Sequence, residues 1–245
     1  MPSLALLVLI FLVAMLYASV GHGGASGYLA AMSLVGGYSP AAMSTSALLL
    51  NLVVAGTAWL TFWRAGHGSW SLLWPFVVSS VPAAFIGGWL PISAQTYRWL
   101  LAACLLMAAA RLCLPPPQDD EHPNSPPLAV ALPVGGLIGV ISGIVGVGGG
   151  IFLSPLMVLL RWADVKRTAA VSAAFIVVNS LAGLAGRLVA GRLLIGSLVL
   201  LVIAALTGGI VGSRLGANHF SGIGLRRLLA VVLVVAAVKL LVTHG

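Results

Sequence analysis

The chain has 245 residues, of which 60% are hydrophobic and only 7% are charged, and its mean hydropathy is +1.14. No soluble domain has a core that could bury so many apolar side chains, so the composition excludes an ordinary soluble protein and indicates a membrane protein. The net charge of +8 comes from Lys and Arg that lie mainly near the ends of apolar segments, as membrane anchors do, so it does not indicate binding to nucleic acid.

Six apolar segments are long enough to cross a bilayer at about 20 residues per crossing. They lie near residues 40–63, 70–90, 96–113, 167–188, 193–213 and 225–242. Two longer apolar segments, 3–37 and 128–162, are each interrupted by a glycine cluster. As one straight helix, either would extend roughly 50 Å, well beyond a hydrocarbon core of about 30 Å. We therefore expect each of them to be a broken helix or a re-entrant hairpin.

The chain contains an internal repeat. A shift of 125 residues aligns three glycines of each half, namely Gly21, Gly23 and Gly24 with Gly146, Gly148 and Gly149. We predict a first transmembrane repeat over 1–114, a polar Pro-rich linker over 115–127 and a second repeat over 128–245. The first apolar run has a counterpart in the second half and no Lys or Arg before it, so we interpret it as mature protein and not as a signal peptide.

The orientation of the two repeats depends on the broken segments. If each segment re-enters the membrane, each half has three spans and the repeats are inverted, whereas full crossings give four spans and parallel repeats. The re-entrant arrangement places eight of the twelve Lys and Arg on one side and four on the other: Arg98, Arg187, Arg192 and Lys239. This is the more uneven division, and the positive-inside rule therefore favours inversion.

The predicted fold is thus an all-α polytopic membrane protein with two inverted pseudo-repeats. Each repeat has one glycine-broken helix or re-entrant hairpin and three spanning helices.

The glycine clusters are the candidate substrate site. A break inside the membrane leaves backbone N–H groups without partners, and the following helix points its positive dipole end into the break, which suits an anion. Two such breaks reproduce the arrangement of transporters with discontinuous helices. The alternative is that the glycines only permit close helix packing. The glycines assigned to the site are Gly21, Gly23, Gly24, Gly146, Gly148, Gly149 and Gly150.

Four polar side chains embedded in the apolar spans are further candidates for the substrate site. They are Ser46 and Asn51 in the first half and Ser172 and Asn179 in the second. Their hydroxyl and amide groups could hydrogen-bond the oxygens of an oxyanion without adding charge. The alternative is that they bond neighbouring helices or cap the broken ends.

Two ionisable side chains have alternative interpretations. His22 stands inside the first break, where it could pair with an anion, couple transport to protons, or remain a neutral hydrogen-bonded histidine. Arg187 lies near the end of its span, and we expect its side chain to snorkel to the membrane interface, with attraction of the substrate as the alternative.

The second glycine cluster opens a recognisable segment. Residues 146–156 read GVGGGIFLSPL, and Val171-Ser172-Ala173 and Asn179 follow downstream. These segments resemble the sulfite exporter TauE/SafE family of membrane transporters. The first copy is similar in Thr45-Ser46-Ala47 and Asn51 but departs at its cluster, where His22 stands inside, Ala25 replaces a further glycine and no proline corresponds to Pro155. The resemblance covers both halves of the chain.

The resemblance implies a secondary transporter that exports sulfite or a related sulfur-containing or organic anion, by alternating access around a site between the two breaks. The expected partners are a small anionic substrate and the lipid bilayer, without nucleic acid, metal or cofactor. The expected location is the inner (plasma) membrane of a bacterium. The oligomeric state is open, with a homodimer as one candidate.

Three other classes of function were compared with transport. A membrane enzyme would need a nucleophile with a base, or a cluster of metal ligands, and the spans offer neither, so we do not expect an enzyme. An anion channel and a non-transporting assembly factor with the same fold stay as alternatives. The residues also leave open the anion (sulfite, thiosulfate, a sulfonate or a small carboxylate), the direction of transport and the coupling ion.

Overall fold

The computed structural model describes residues 3–19, 22–113, 126–193, 198–216 and 223–242. This part of the chain is helical and contains no strand. Its helices are α1 (Leu4–Ser19), α2 (Ala25–Val35), α3 (Pro40–Phe62), α4 (Trp70–Trp89), α5 (Ala94–Cys113), α6 (Leu128–Val145), α7 (Gly150–Leu159), α8 (Val165–Val189), α9 (Val199–Gly216) and α10 (Ile223–Val242). A π-helical turn, Trp63–His67, extends α3.

The helices confirm the predicted all-α class and the two breaks. The segment 3–37 is divided into α1 and α2, and the segment 128–162 is divided into α6 and α7. By length and composition, four described helices could cross a membrane: α3 with its π-helical extension, α4, α6 and α8.

Helices α3 and α8 begin at corresponding capped positions. The Ser39 hydroxyl accepts a hydrogen bond from the Ala42 N–H at 3.2 Å, and the Asp164 carboxylate accepts one from the Arg167 N–H at 2.8 Å. Residues 39 and 164 are separated by the 125-residue shift of the repeat. A side-chain cap satisfies one of the free N–H groups at a helix start, so both long helices start at a fixed point.

Glycines bring helices of opposite halves into close contact. A Cβ atom on Gly87 of α4 would collide with the carbonyl oxygen of Val140 on α6, and one on Gly212 of α9 would collide with that of Met15 on α1. The 125-residue shift relates Gly87 to Gly212 and Met15 to Val140. Small residues allow such close backbone approach between helices in membranes, where lipid offers no hydrophobic driving force for association.

In one contact the glycine belongs to the first half and the carbonyl to the second, and in the other contact the roles are reversed. This reciprocity is expected of two halves that are related by a twofold axis. The order and approximate lengths of α1–α5 also match those of α6–α10. The repeat boundaries and the inverted orientation stay predictions, and most of the 115–127 linker lies outside the described residues.

Two basic side chains bind the carbonyl ends of helices. Arg192 donates to the carbonyl oxygens of Gly88, Trp89 and Leu90 at the end of α4. Lys239 of α10 donates to the last turn of α2, at 2.9 Å from each of two carbonyl oxygens, those of Ser33 and Leu34. Cations stabilise a helix C-terminus because its unpaired carbonyls carry partial negative charge.

Candidate functional site

The two short helices α2 and α7 begin at glycines. Gly24 precedes α2 with φ 86° and Gly149 precedes α7 with φ 83°, a left-handed conformation that suits glycine. Within the described residues, no side chain caps either helix start. In contrast to α3 and α8, these two helices therefore direct first-turn N–H groups into the breaks without a side-chain acceptor.

Asn51 lies between the two breaks. A Cβ on Gly148 would come within 2.6 Å of Asn51 Nδ2, and one on Gly23 would collide with Asn51 Oδ1. The Asn51 side chain is fully buried, and neither end of its amide has a hydrogen-bond partner among the described residues. Asn51 is also midway between Pro40 and Phe62, so a membrane-spanning α3 holds it near the centre of the bilayer.

Helix α8 packs against the same two glycines from the other side. Ile176 is the repeat counterpart of Asn51, and its Cγ2 atom would lie 3.2 Å from a Cβ on Gly23 and 2.8 Å from one on Gly148. One turn further, the Ser180 hydroxyl would lie 3.2 Å from the same Gly148 Cβ. Ser180 is fully buried, and its hydroxyl has no partner among the described residues.

A hydrogen-bonded cluster joins the first break to the second half. Ser154 Oγ of α7 is 2.8 Å from each of three atoms: His22 Nε2, Ser172 Oγ and the Gly150 carbonyl oxygen. The Ser154 hydroxyl has one proton and can donate to only one of these groups. At least one proton in the cluster must therefore come from Ser172 or His22, and the cluster responds to the tautomer of His22.

The glycines of the site have two different surroundings. Gly23 and Gly148 face the Asn51 amide. The other described glycines of the clusters pack against protein atoms, in agreement with the packing alternative: Gly24 against Tyr28, Gly146 against Ser44, Gly149 against Phe175 and Ile138, and Gly150 against Ile176. Gly21 lies outside the described residues. Gly23 and Gly148 differ from these glycines in that a buried amide without a partner among the described residues lies against them.

Two of the predicted polar residues stand apart from Asn51. Asn179 Nδ2 donates to the Phe175 carbonyl of its own helix at 2.9 Å, and its Oδ1 has no partner among the described residues. Ser46 is buried on α3 but, five residues before Asn51, it points about 140° away around an ideal helix. Two residues were not among the sequence-predicted site residues. Ser154 stands within the 146–156 segment that carries the family resemblance, whereas Ser180 carries no signal beyond a serine in an apolar segment.

The expectation that Arg187 snorkels is wrong. Its side chain is only 5% exposed, and it donates to the carbonyl oxygens of Gly143 at 2.7 Å and Ile144 at 2.8 Å. The Tyr97 hydroxyl donates to the next carbonyl, that of Val145, at 3.2 Å. Because α6 ends inside the protein, its last carbonyls need internal donors, and a cation also complements the negative end of the helix dipole.

Comparison with known proteins gives two matches that cover nearly the whole chain. The family model described as "Sulfite exporter TauE/SafE" matches residues 6–240. The curated protein "Probable membrane transporter protein y4hK" of Sinorhizobium fredii (strain NBRC 101917 / NGR234) is 35% identical over 243 residues, which are 98% of this chain and 98% of that protein. No solved structure matches the chain.

Proposed function

The chain is an integral membrane protein that belongs to the sulfite exporter TauE/SafE family, and we propose that it is a secondary transporter that exports sulfite or a related sulfur-containing or organic anion. The proposed location is the inner membrane of a bacterium. The proposed activity is transport without covalent chemistry, by alternating access around the space between the two breaks.

The observation that carries the proposal is the position of Asn51 between Gly23 and Gly148. The amide is buried without a partner among the described residues, which is costly unless a ligand completes its hydrogen bonds. Two uncapped helix starts face the same space and add positive potential. Neutral N–H donors with positive helix ends are suited to an oxyanion in a region of low dielectric.

The packing of the two halves supports alternating access. The site is made from both halves, because Asn51 belongs to α3 and Ser180 to α8, and these two helices pack against each other. A ligand held between α3 and α8 would bind more tightly when both helices contact it than when either helix moves away. Only such a difference in binding can shift a conformational equilibrium.

The test is the flux of labelled sulfite in proteoliposomes that contain the purified protein. We expect saturable flux that competing anions reduce, and loss of that flux in Asn51→Leu, which keeps an apolar side chain of similar volume but removes the amide. The matched control is Gly56→Ala on the same helix, because no atom lies within 4 Å of the added Cβ.

The alternative functions predict different results in the same assay. Flux that does not saturate and does not respond to a counter-gradient would indicate an anion channel. No flux of any anion, in protein shown to be folded, would overturn the proposal and favour a non-transporting assembly factor.

A further inference from the structure

The charge around the breaks is close to one positive unit. Each helix N-terminus is equivalent to roughly half a positive elementary charge and each C-terminus to roughly half a negative one, so the starts of α2 and α7 and the ends of α1 and α6, which meet at the two breaks, about cancel. Titratable side chains at the breaks are His22, which contacts Ser154, and three phenols: Tyr28 against Gly24, Tyr17 bonded to Ser26 in the first turn of α2, and Tyr97 bonded to the Val145 carbonyl. The Arg187 guanidinium, bound to the carbonyl end of α6 beside the second break, supplies the positive unit. A second negative charge on the ligand would therefore be buried without compensation.

The Asn51 amide adds a requirement for a hydrogen-bond donor. An amide carries two N–H donors at one end and an acceptor oxygen at the other. Its two ends face Gly23 and Gly148, and turning the amide over only exchanges which break faces the oxygen. One buried acceptor thus points at a break in either case, without a partner among the described residues. A ligand with acceptors alone would leave it unpaired.

Ser180 places a second neutral group on the opposite side. Its hydroxyl approaches Gly148 from α8 while the Asn51 amide approaches Gly148 from α3. Both side chains are fully buried, and both lack partners among the described residues. A hydroxyl can donate to one ligand oxygen. Ser180 is therefore positioned to contact the same ligand as Asn51.

From these three observations, and resting on the proposed transport site, we infer that the transported form is a singly charged oxyanion that keeps one O–H group, with hydrogensulfite as the sulfur-containing example. The ligand O–H donates to the Asn51 oxygen, and its other oxygens accept from the Asn51 N–H groups, the Ser180 hydroxyl and the helix starts. Fully deprotonated dianions and monoanions without an O–H bind more weakly.

The first test compares two anions of nearly the same shape. At mildly acidic pH, methylphosphonate is a monoanion with one O–H, whereas methanesulfonate is a monoanion with none. Each is added as a competitor of labelled sulfite exchange in proteoliposomes with equal pH on both sides. We expect methylphosphonate to compete about tenfold better, because one unpaired buried acceptor is worth about that factor. Equal competition would overturn the inference.

The second test varies pH for sulfite itself. We expect the half-saturation concentration, expressed as total sulfite, to rise with pH in proportion to the loss of hydrogensulfite, and to stay constant when expressed as hydrogensulfite. The same slope is expected in His22→Gln, which cannot titrate. A half-saturation concentration that does not change with pH would overturn the inference, because the protonation state of the ligand would then not matter. A pH dependence that disappears in His22→Gln would also overturn it, because the titrating proton would then be that of His22.

The third test addresses Ser180. We expect Ser180→Ala to raise the half-saturation concentration of sulfite by roughly tenfold to a hundredfold, the range for a hydrogen bond to a charged group. Ser213→Ala serves as the control, because the Ser213 hydroxyl donates within its own helix to the Ile210 carbonyl. An unchanged value in Ser180→Ala would remove Ser180 from the site. If any of these three tests contradicts the inference, the native protein still shows anion flux. If the proposed function itself is wrong, the native protein shows no anion flux.

Discussion

Asn51 and Ile176 occupy corresponding positions in the two halves of the chain, and both side chains lie against Gly23 and Gly148. The two glycines are therefore flanked by an amide on the α3 side and by a branched alkyl group on the α8 side. A ligand at the proposed site would meet polar contacts from α3, and apolar contacts with the Ser180 hydroxyl at their edge from α8. This asymmetry would favour one orientation of the ligand, although the two halves share one architecture.

The Gly148 position tests whether the close approach of the second break to Asn51 is needed for transport. We expect Gly148→Ala to abolish sulfite flux, because the added Cβ would come within 2.6 Å of Asn51 Nδ2. Gly191→Ala is the matched control, since Gly191 also has a positive φ, of 66°, but no atom lies within 4 Å of its Cβ. Flux measurements on both variants separate intrusion at the site from backbone strain. Equal loss in the two variants would contradict the prediction.

The Arg187 position tests the carbonyl end of α6. We expect Arg187→Met to lower the free energy of unfolding by about 3 kcal/mol, because two buried carbonyls lose a charged donor. Thermal unfolding in detergent measures the change. Arg167→Met is the control, because Arg167 is half exposed and its pair with Asp164 is worth at most about 1 kcal/mol. A tolerated Arg187→Met would show that the carbonyls find other donors.

The Ser154 position tests the cluster that joins the halves. Ser154→Ala removes the hydroxyl that contacts His22 and Ser172, and we expect sulfite flux to fall about tenfold, the equivalent of one or two neutral hydrogen bonds. Ser33→Ala is the control, because the Ser33 hydroxyl donates only within its own helix in the described contacts, to the Ala30 carbonyl. Native flux in Ser154→Ala would show that the cluster is not needed for transport.

The α4–α6 contact tests close packing between the halves. A Cβ on Gly139 would collide with the Ser80 carbonyl oxygen, so we expect Gly139→Ala to destabilise the protein by about 1–3 kcal/mol. Gly136→Ala, three residues earlier on the same helix, would bring its Cβ no closer than 3.9 Å to Ser79, and we expect no loss of stability. Denaturation of both variants in the same detergent provides the measurement, and equal stability would refute close contact at Gly139.

The breaks and one wall of the site could be predicted from the sequence. The glycine clusters stand in apolar segments too long for one crossing, and length alone requires those helices to be interrupted. Asn51 was recognised because an amide in an apolar span is rare and costly. These inferences depend on local sequence and on the thickness of the bilayer, so they need no knowledge of tertiary contacts.

The partners of the site could not be predicted in the same way. Asn179 resembles Asn51 in its sequence surroundings, yet the repeat shift pairs Asn51 with Ile176, and Asn179 bonds its own helix. Arg187 looks like an interfacial anchor because its carbonyl partners are more than forty residues away along the chain. Ser180 becomes a candidate only when the register of α8 against the breaks is known.

The cations at the helix ends also bear on the predicted orientation of the chain. Arg187, Arg192 and Lys239 make up three of the four basic residues on the less basic side of the predicted inverted arrangement, and all three bind backbone carbonyls within the protein. A cation held in this way is a structural cap, because it neutralises the negative end of a helix that stops inside or beside the folded bundle. Three of the four basic residues on that side therefore contribute to the packing of the folded protein as well as to the charge count of the predicted arrangement.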